Sequence, residues 1–211
     1  MNINLLKRES VGEENRIFLP EAAHRGLKSV EEVLSERRSV REYATEAVSL
    51  AELAQLLWSA QGITGEDGLK TTPSAGALYP LEIYAVIAKV EKIAEGIYKY
   101  HPATHSLQRI GQGDVRKRLA EAALDQDWVK EAPLVLVIAA VYERITGTYG
   151  SRGMRYVHME VGHAAQNLYL QAGALGLGTV IIGAFNDAMI QQILNLSEFE
   201  QPLCLLPVGR K

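Results

Sequence analysis

A single cysteine, Cys204, in a chain of 211 residues excludes a disulfide framework and any metal or iron–sulfur centre built from several thiolates. It sits in the apolar run LCLLPV, the setting of a small buried hydrophobe. Nowhere do 18 uncharged apolar residues follow one another, so no membrane-spanning helix is expected. The opening MNINLLKRESVGEENRIFLP also lacks the basic start, apolar stretch and cleavage site of a secretory signal, and a soluble, cytoplasmic protein is expected. Excess charge is missing too. A net charge of −3 and an isoelectric point near 6.0 give no general attraction for nucleic acid, so any basic cluster has a local purpose. No G-x-S-x-G nucleophile elbow occurs. No repeat, low-complexity tract or linker divides the chain, and the expected organisation is an N-terminal arm, 1–28, followed by one domain, 29–211.

Apolar residues make up 47%, enough for a substantial core. Ser29 with Glu32 and Ser49 with Glu52 form S-x-x-E capping boxes, predicting one helix with Val30, Val33 and Leu34 inward and another ended by Gly62. LEIYAVIA (81–88) and PLVLVIAAVY (133–142) read as buried strands, and GIYKYHPATHSLQRI as a hairpin. A helix capped by Asp114 and a long helix from about Met154 to Leu175 are predicted, with strands at GTVIIGAF and PLCLLPVG. Between those strands lies a helix capped by Asn186 or Asp187. Helices and strands mix without strict alternation, so the fold class is α+β.

Three stretches can carry chemistry. In SERRSVREY (35–43), an extended chain after Arg37 puts Arg37, Ser39 and Arg41 on one face. Two guanidinium forks flanking a hydroxyl suit a phosphate; a solvated charged turn is the other reading of the same residues. TTPSAGALYP (71–80) is uncharged and rich in small residues and backbone breakers. Pro73, Ser74, Ala75, Gly76 and Ala77 leave peptide groups bare, either for a flat aromatic ligand or for close packing under a helix. Residues 142–155, with Tyr149 and Arg152, shape a substrate mouth or simply lead into the long helix.

Two attractive patterns fail on geometry. AGALGLG (172–178) has its glycines after a helix and before a strand, the reverse of the dinucleotide fingerprint, so Gly176 and Gly178 read as a helix stop and tight turn. His158 and His163 of HMEVGH are five residues apart, which on a helix turns them about 140° away from each other. No metal is expected.

RRSVREY, TTPSAGALYPLEIY, RYVHMEVGHAAQNLYLQAGALGLG, GAFND and LPVGRK, in that order, resemble the nitroreductase family of FMN-dependent flavoproteins over residues 30–211. The P-S-A-G-x-L-Y-P and E-x-G-H-x-x-Q-N-L strings are most similar to its SagB-type dehydrogenase branch. The resemblance implies an α+β fold with a mixed sheet flanked by helices, and an intertwined homodimer with FMN at the subunit interface. Carried over by position, Arg37, Arg38, Ser39 and Arg41 would hold the phosphate and ribityl chain, and Gly209, Arg210 and Lys211 would return to the phosphate. Pro73, Ser74, Ala75, Gly76 and Leu78 would line the ring from the partner subunit, and Gly183 and Ala184 would set backbone amides near flavin N5. The implied activity is hydride transfer through FMN in a ping-pong cycle, from NADH or NADPH to a nitroaromatic, quinone or similar flat acceptor. Oxidation of azoline rings in peptide natural products is an alternative, as is a flavin-binding module with little turnover. No catalytic side chain is assigned, because flavin supplies the reactive atom. The best-known nitroreductases carry an asparagine-bearing segment where this chain has SAGALYP.

Overall fold

A computed structural model describes residues 16–211; of the N-terminal arm, residues 1–15 lie outside the described residues. Arg16–Phe18 form the first strand, β1. The capping boxes open α1 (Val30–Glu36) and α2 (Leu50–Gln61), with Ser29 and Ser49 accepting from the backbone N–H of Glu32 and Glu52 and each glutamate bonding back to its serine N–H. Then follow β2 (Leu81–Ile87), β3 (Gly96–His101), β4 (Ser106–Gln112), α3 (Arg116–Ala122), α4 (Asp127–Glu131) and β5 (Leu134–Val141). The chain ends with α5 (Glu143–Tyr149), α6 (Gly153–Ala174), β6 (Leu177–Thr179), α7 (Asp187–Leu194) and β7 (Glu200–Arg210).

The strands form one sheet in the order β1-β4-β3-β2-β5-β7-β6. Every pairing between these strands is antiparallel; the expected mixture survives only in isolated parallel bridges, Ser39 to Thr179 and Val48 to Val90. Strand β5 lies near the middle and is apolar on both sides. Leu134, Leu136, Ile138 and Ala140 join one core with α2 and α6, whereas Val135, Val137 and Ala139 join a second with α3, α4 and α7. Period-two geometry in a sheet covered on both faces explains why PLVLVIAAVY shows no polar alternation.

Four local expectations are corrected. On α1 only Val33 is buried, while Val30 and Leu34 are 63% and 52% exposed. The helix meets α6 along one narrow line, where a Cβ on Gly173 would stand 2.9 Å from Val33. Asp114 lies one residue ahead of the α3 N-cap, Val115, and accepts from the Arg116 N–H while pairing with its guanidinium. The GTVIIGAF strand is interrupted after Thr179, where the Ile181 N–H goes to the Tyr169 hydroxyl at 2.9 Å, and meets β7 again at Ile182, which exchanges both backbone bonds with Leu205. Gly176, at φ 73°, makes the turn after α6, but Gly178 is a strand residue.

Candidate cofactor and substrate site

Arg37 is the C-cap of α1, where φ −54° and ψ 124° take the chain out of the helix into an extended segment. That segment docks beside β6 through the Val40 N–H to Thr179 carbonyl bond of 2.9 Å. Gly178 and Gly209 are cross-strand partners, and a Cβ on either would stand 2.7–2.9 Å from Val40, Tyr43 or Pro133. The paired glycines therefore form a bare patch on which RRSVREY lies. Gly209 is covered by Tyr43, a packing role that accounts for its lack of a side chain.

Tyr169 of α6 organises what emerges from this patch. Its hydroxyl lies within hydrogen-bond distance of Ser39 Oγ, at 3.1 Å, and accepts the Ile181 N–H. The Arg37 guanidinium stacks 5.2 Å from its ring centroid. One side chain thus gathers Arg37, Ser39 and the start of the Ile181–Ala184 segment. Gly183 and Ala184 are exposed, and a Cβ on Gly183 would meet nothing within 4 Å. The Arg41 guanidinium lies 5.5 Å from the centroid of the Trp128 ring. Arg38 bonds the carbonyls of Ser35 and Arg37. None of these three arginines enters an ion pair among the described residues. Arg210 by contrast is held by both Glu52 oxygens, at 2.9 and 3.0 Å, while Lys211 acts on Glu36 next to Arg37.

The bare loop is anchored firmly at its start. Thr71 and Thr72 donate to the Trp58 and Ala60 carbonyls, capping the end of α2, and Asn167 of α6 donates to Thr72 Oγ1. Ser74 Oγ then accepts the Tyr79 N–H at 2.9 Å, closing a turn in which Gly76, Ala77 and Tyr79 all have positive φ. For alanine and tyrosine this conformation costs about 1 kcal/mol or more each. Arg144 holds the Tyr79 carbonyl, and its other arm pairs with Glu82. A Cβ on Gly76 would come 2.9 Å from the Tyr149 hydroxyl, so a residue expected at the cofactor and one expected at the substrate lie together. Tyr149 also packs edge-on against Tyr156. Arg152 instead borders an open cavity of about 720 Å³ with Arg155 and His158; His158 itself meets the Tyr142 hydroxyl at 2.6 Å.

Behind the loop is the acid of the HMEVGH stretch, to which the sequence assigns no role beyond its place in the E-x-G-H string. Glu160 of α6 is 2% exposed, and neither of its oxygens has a hydrogen-bond partner. It lines a cavity of about 270 Å³ with Pro73, Ser74, Ala75, Tyr156 and His163. Burial raises its pKa from 4.5 to about 7; Ser74, Lys70 and Gln61 lie close enough to favour the charged form, but none closes a hydrogen bond onto it. Lys70 is itself pushed down by burial. Glu200, the other buried glutamate among the described residues, behaves oppositely: burial works to raise it, but bonds from Lys99, Tyr84 and Ser197 hold it down at about 2.

Tyr169 and Trp128 have no signal in the sequence, and Glu160 none beyond its place in the E-x-G-H string, because a single aromatic or acidic residue in an amphipathic segment carries no mark of its partners. The Ser39 and loop groups stand on different parts of α6: nine residues separate Glu160 from Tyr169, about 13 Å along the axis.

The sequence profile of the nitroreductase family matches residues 34–210. A protein of Methanocaldococcus jannaschii that bears the name nitroreductase is 53% identical over 201 residues, covering 95% of this chain and 99% of that one. A solved structure from Ralstonia eutropha, also named as a nitroreductase, superposes with a TM-score of 0.82 at 30% identity, covering 93% of this chain and 90% of that one. The microcin B17-processing protein McbC of Escherichia coli is 25% identical over 133 residues, spanning 60% of this chain and 48% of that protein.

Proposed function

The chain belongs to the nitroreductase family, and from that premise we propose that it is a cytoplasmic, FMN-dependent oxidoreductase, working as a homodimer. The observation that carries the cofactor is the gathering of Arg37, Ser39 and the open Gly183–Ala184 backbone around Tyr169. The donor set fits FMN. Arg37, Arg38 and Arg41 are cations without acidic partners among the described residues, as a phosphate requires, and Arg37 and Ser39 offer a fork and a short neutral donor side by side. Lys211, whose charge is felt at Glu36, adds charge to the same end, and Arg210 closes that end through Glu52. Gly209 contributes by letting Tyr43 seat the arginine segment.

Pro73, Ser74, Ala75, Gly76 and Leu78 present small side chains and bare peptide groups, suited to one face of a flat ring. Their distance along α6 from Tyr169 supports a site that draws one group from each of two subunits. The exposed apolar residues Val30 and Leu34 of α1 and Met159 of α6 support burial against a second copy.

When bound, FMN would supply hydride chemistry, accepting from NADH or NADPH and giving to a nitroaromatic or quinone. This chain's residues do the rest. The arginines fix the anionic end, the exposed amides at Gly183 and Ala184 orient the ring edge, and Tyr149 and Arg152 border the entry for donor and acceptor in turn. The match with McbC favours a second reading, oxidation of azoline rings in a peptide.

Purified protein reconstituted with FMN is expected to be yellow, and its visible band to bleach anaerobically when NADH or NADPH is added. Protein that stays colourless with excess FMN refutes the cofactor; protein that holds FMN but is not reduced by either nicotinamide refutes the donor and returns the peptide reading.

A further inference from the structure

Two glutamates are buried among the described residues, and they differ in one respect. Glu200 is met by an ammonium, a phenol and a backbone N–H, whereas Glu160 has Ser74, Gln61 and Lys70 beside it but no hydrogen bond closed onto either oxygen. A carboxylate without hydrogen bonds in such a place is more costly than a neutral acid, so burial favours the protonated form of Glu160. Gln61 beside it also leaves Nε2 unpartnered, so the polar groups here are not a closed structural network.

The placement is specific. Glu160 lies at the wall of the cavity that Pro73, Ser74 and Ala75 share with Tyr156 and His163. Ser74 Oγ already accepts the Tyr79 N–H, so its own proton is free to be donated, and it lies next to the Glu160 carboxyl. The charged and titratable groups around the acid are Lys70 from the segment after α2, and Tyr156 and His163 from α6 itself.

The geometry assigns Glu160 as the proton donor, with Ser74 as relay, for a quinone-class acceptor bound against the loop Pro73–Gly76. The assignment rests on the flavin reading above. The hydride reaching the quinone carries both electrons and one hydrogen. The developing oxyanion takes the Ser74 hydroxyl proton, and Ser74 takes the Glu160 proton in its place. A hydroquinone leaves, and Glu160 remains as a carboxylate favoured by the Lys70 ammonium until solvent reprotonates it. A serine whose oxygen is already committed as an acceptor gives the transfer its direction.

The test uses flavin-loaded full-length protein, reduced anaerobically and mixed rapidly with benzoquinone across pH 5–9. Wild-type reoxidation is expected to slow as pH rises past about 7. Glu160→Gln is expected to be slower by about a hundredfold at low pH, and to lose the pH step and the solvent deuterium effect. Ser74→Ala is expected to be similarly slow. Infrared spectra separate the roles: a protonated carboxyl band present at pH 5 and lost by pH 9 is expected in wild type and Ser74→Ala, and absent in Glu160→Gln. Flavin-loaded Glu160→Gln with the wild-type rate and pH profile overturns the assignment alone, as does a wild type without the carboxyl band. A full-speed Ser74→Ala overturns the relay. Protein that takes up no flavin overturns the flavin reading itself, and the infrared band is still readable in it.

Discussion

Glu160 also makes a prediction that needs neither cofactor nor substrate, because a carboxyl that holds its proton more tightly in the folded chain links folding to pH. The perturbation is Glu160→Gln, which keeps the size of the side chain and removes its charge. Burial raises Glu160 from 4.5 to about 7. Its contribution to stability is fully present below the unfolded value and is lost as pH rises through the folded one. The whole rise corresponds to about 3 kcal/mol. At pH 4 both proteins are neutral at this position and differ only by a constant set by packing. Between pH 4.5 and about 7.5 the wild type alone loses stability, and above that the deficit is constant. The glutamine variant cannot ionise, so the difference between the two curves isolates this group from every other. For a chain of this size the change corresponds to about 6–12 °C in midpoint temperature. Thermal unfolding of the flavin-free proteins, followed by circular dichroism from pH 4 to 8.5, reads it directly. Glu160→Gln gaining on the wild type by that amount is the expected result. Parallel curves would show that Glu160 is an ordinary carboxylate in the folded chain, and would remove the basis for its holding a proton.

The opposite sign is expected at Glu200, whose pKa is held at about 2: Glu200→Gln costs about 3 kcal/mol at pH 7, and the cost fades as acid titration carries the wild type from pH 4.5 toward 2. Arg37→Gln with Arg41→Gln is expected to weaken FMN at least about a hundredfold in a fluorescence titration, since each lost bond to a charged group costs about 1.5–3 kcal/mol. Unchanged affinity would relocate the phosphate. Tyr169→Phe keeps the ring under Arg37 but frees Ser39 and the Ile181 N–H; a stability loss of about 1–2 kcal/mol with weakened flavin retention is expected from denaturant unfolding and dialysis. Gly209→Ala puts a Cβ 2.8 Å from Tyr43 and 2.9 Å from Pro133, and is expected to cost about 1–3 kcal/mol in urea unfolding; a neutral result would mean that the arginine segment is not seated there.

The elements were legible wherever a local rule names its own partner. Ser29 and Ser49 find their glutamates three residues on, and the apolar runs at 81–88 and 133–142 declare strands buried on both faces. Burial by tertiary contact was not legible in this way. The spacing of Val30 and Leu34 describes an apolar stripe, but nothing in it says that α6 reaches only Val33. Gly178 and Gly209 look like turn or ligand glycines until the register pairs them under Val40 and Tyr43.

The same distinction divides the site. Arg37, Ser39 and the bare loop announce themselves by composition: clustered guanidinium groups and a run without large side chains both need something outside themselves to be stable. Glu160 and Tyr169 do not, because one acid or one phenol on a helix is ordinary until its surroundings are known. What makes Glu160 reactive is the absence of a partner, a property of three segments at once: the end of α2 with Gln61, the loop with Ser74, and α6 itself. A motif can specify donors that are present. It cannot specify that the donors around a buried carboxyl stop short of closing a bond onto it, here with Gln61 Oε1 taken by the Lys70 ammonium at 3.0 Å and the Ser74 oxygen accepting from Tyr79. Burial without a closed hydrogen bond is what favours the protonated form of Glu160, and it disappears in any view that stops at the sequence.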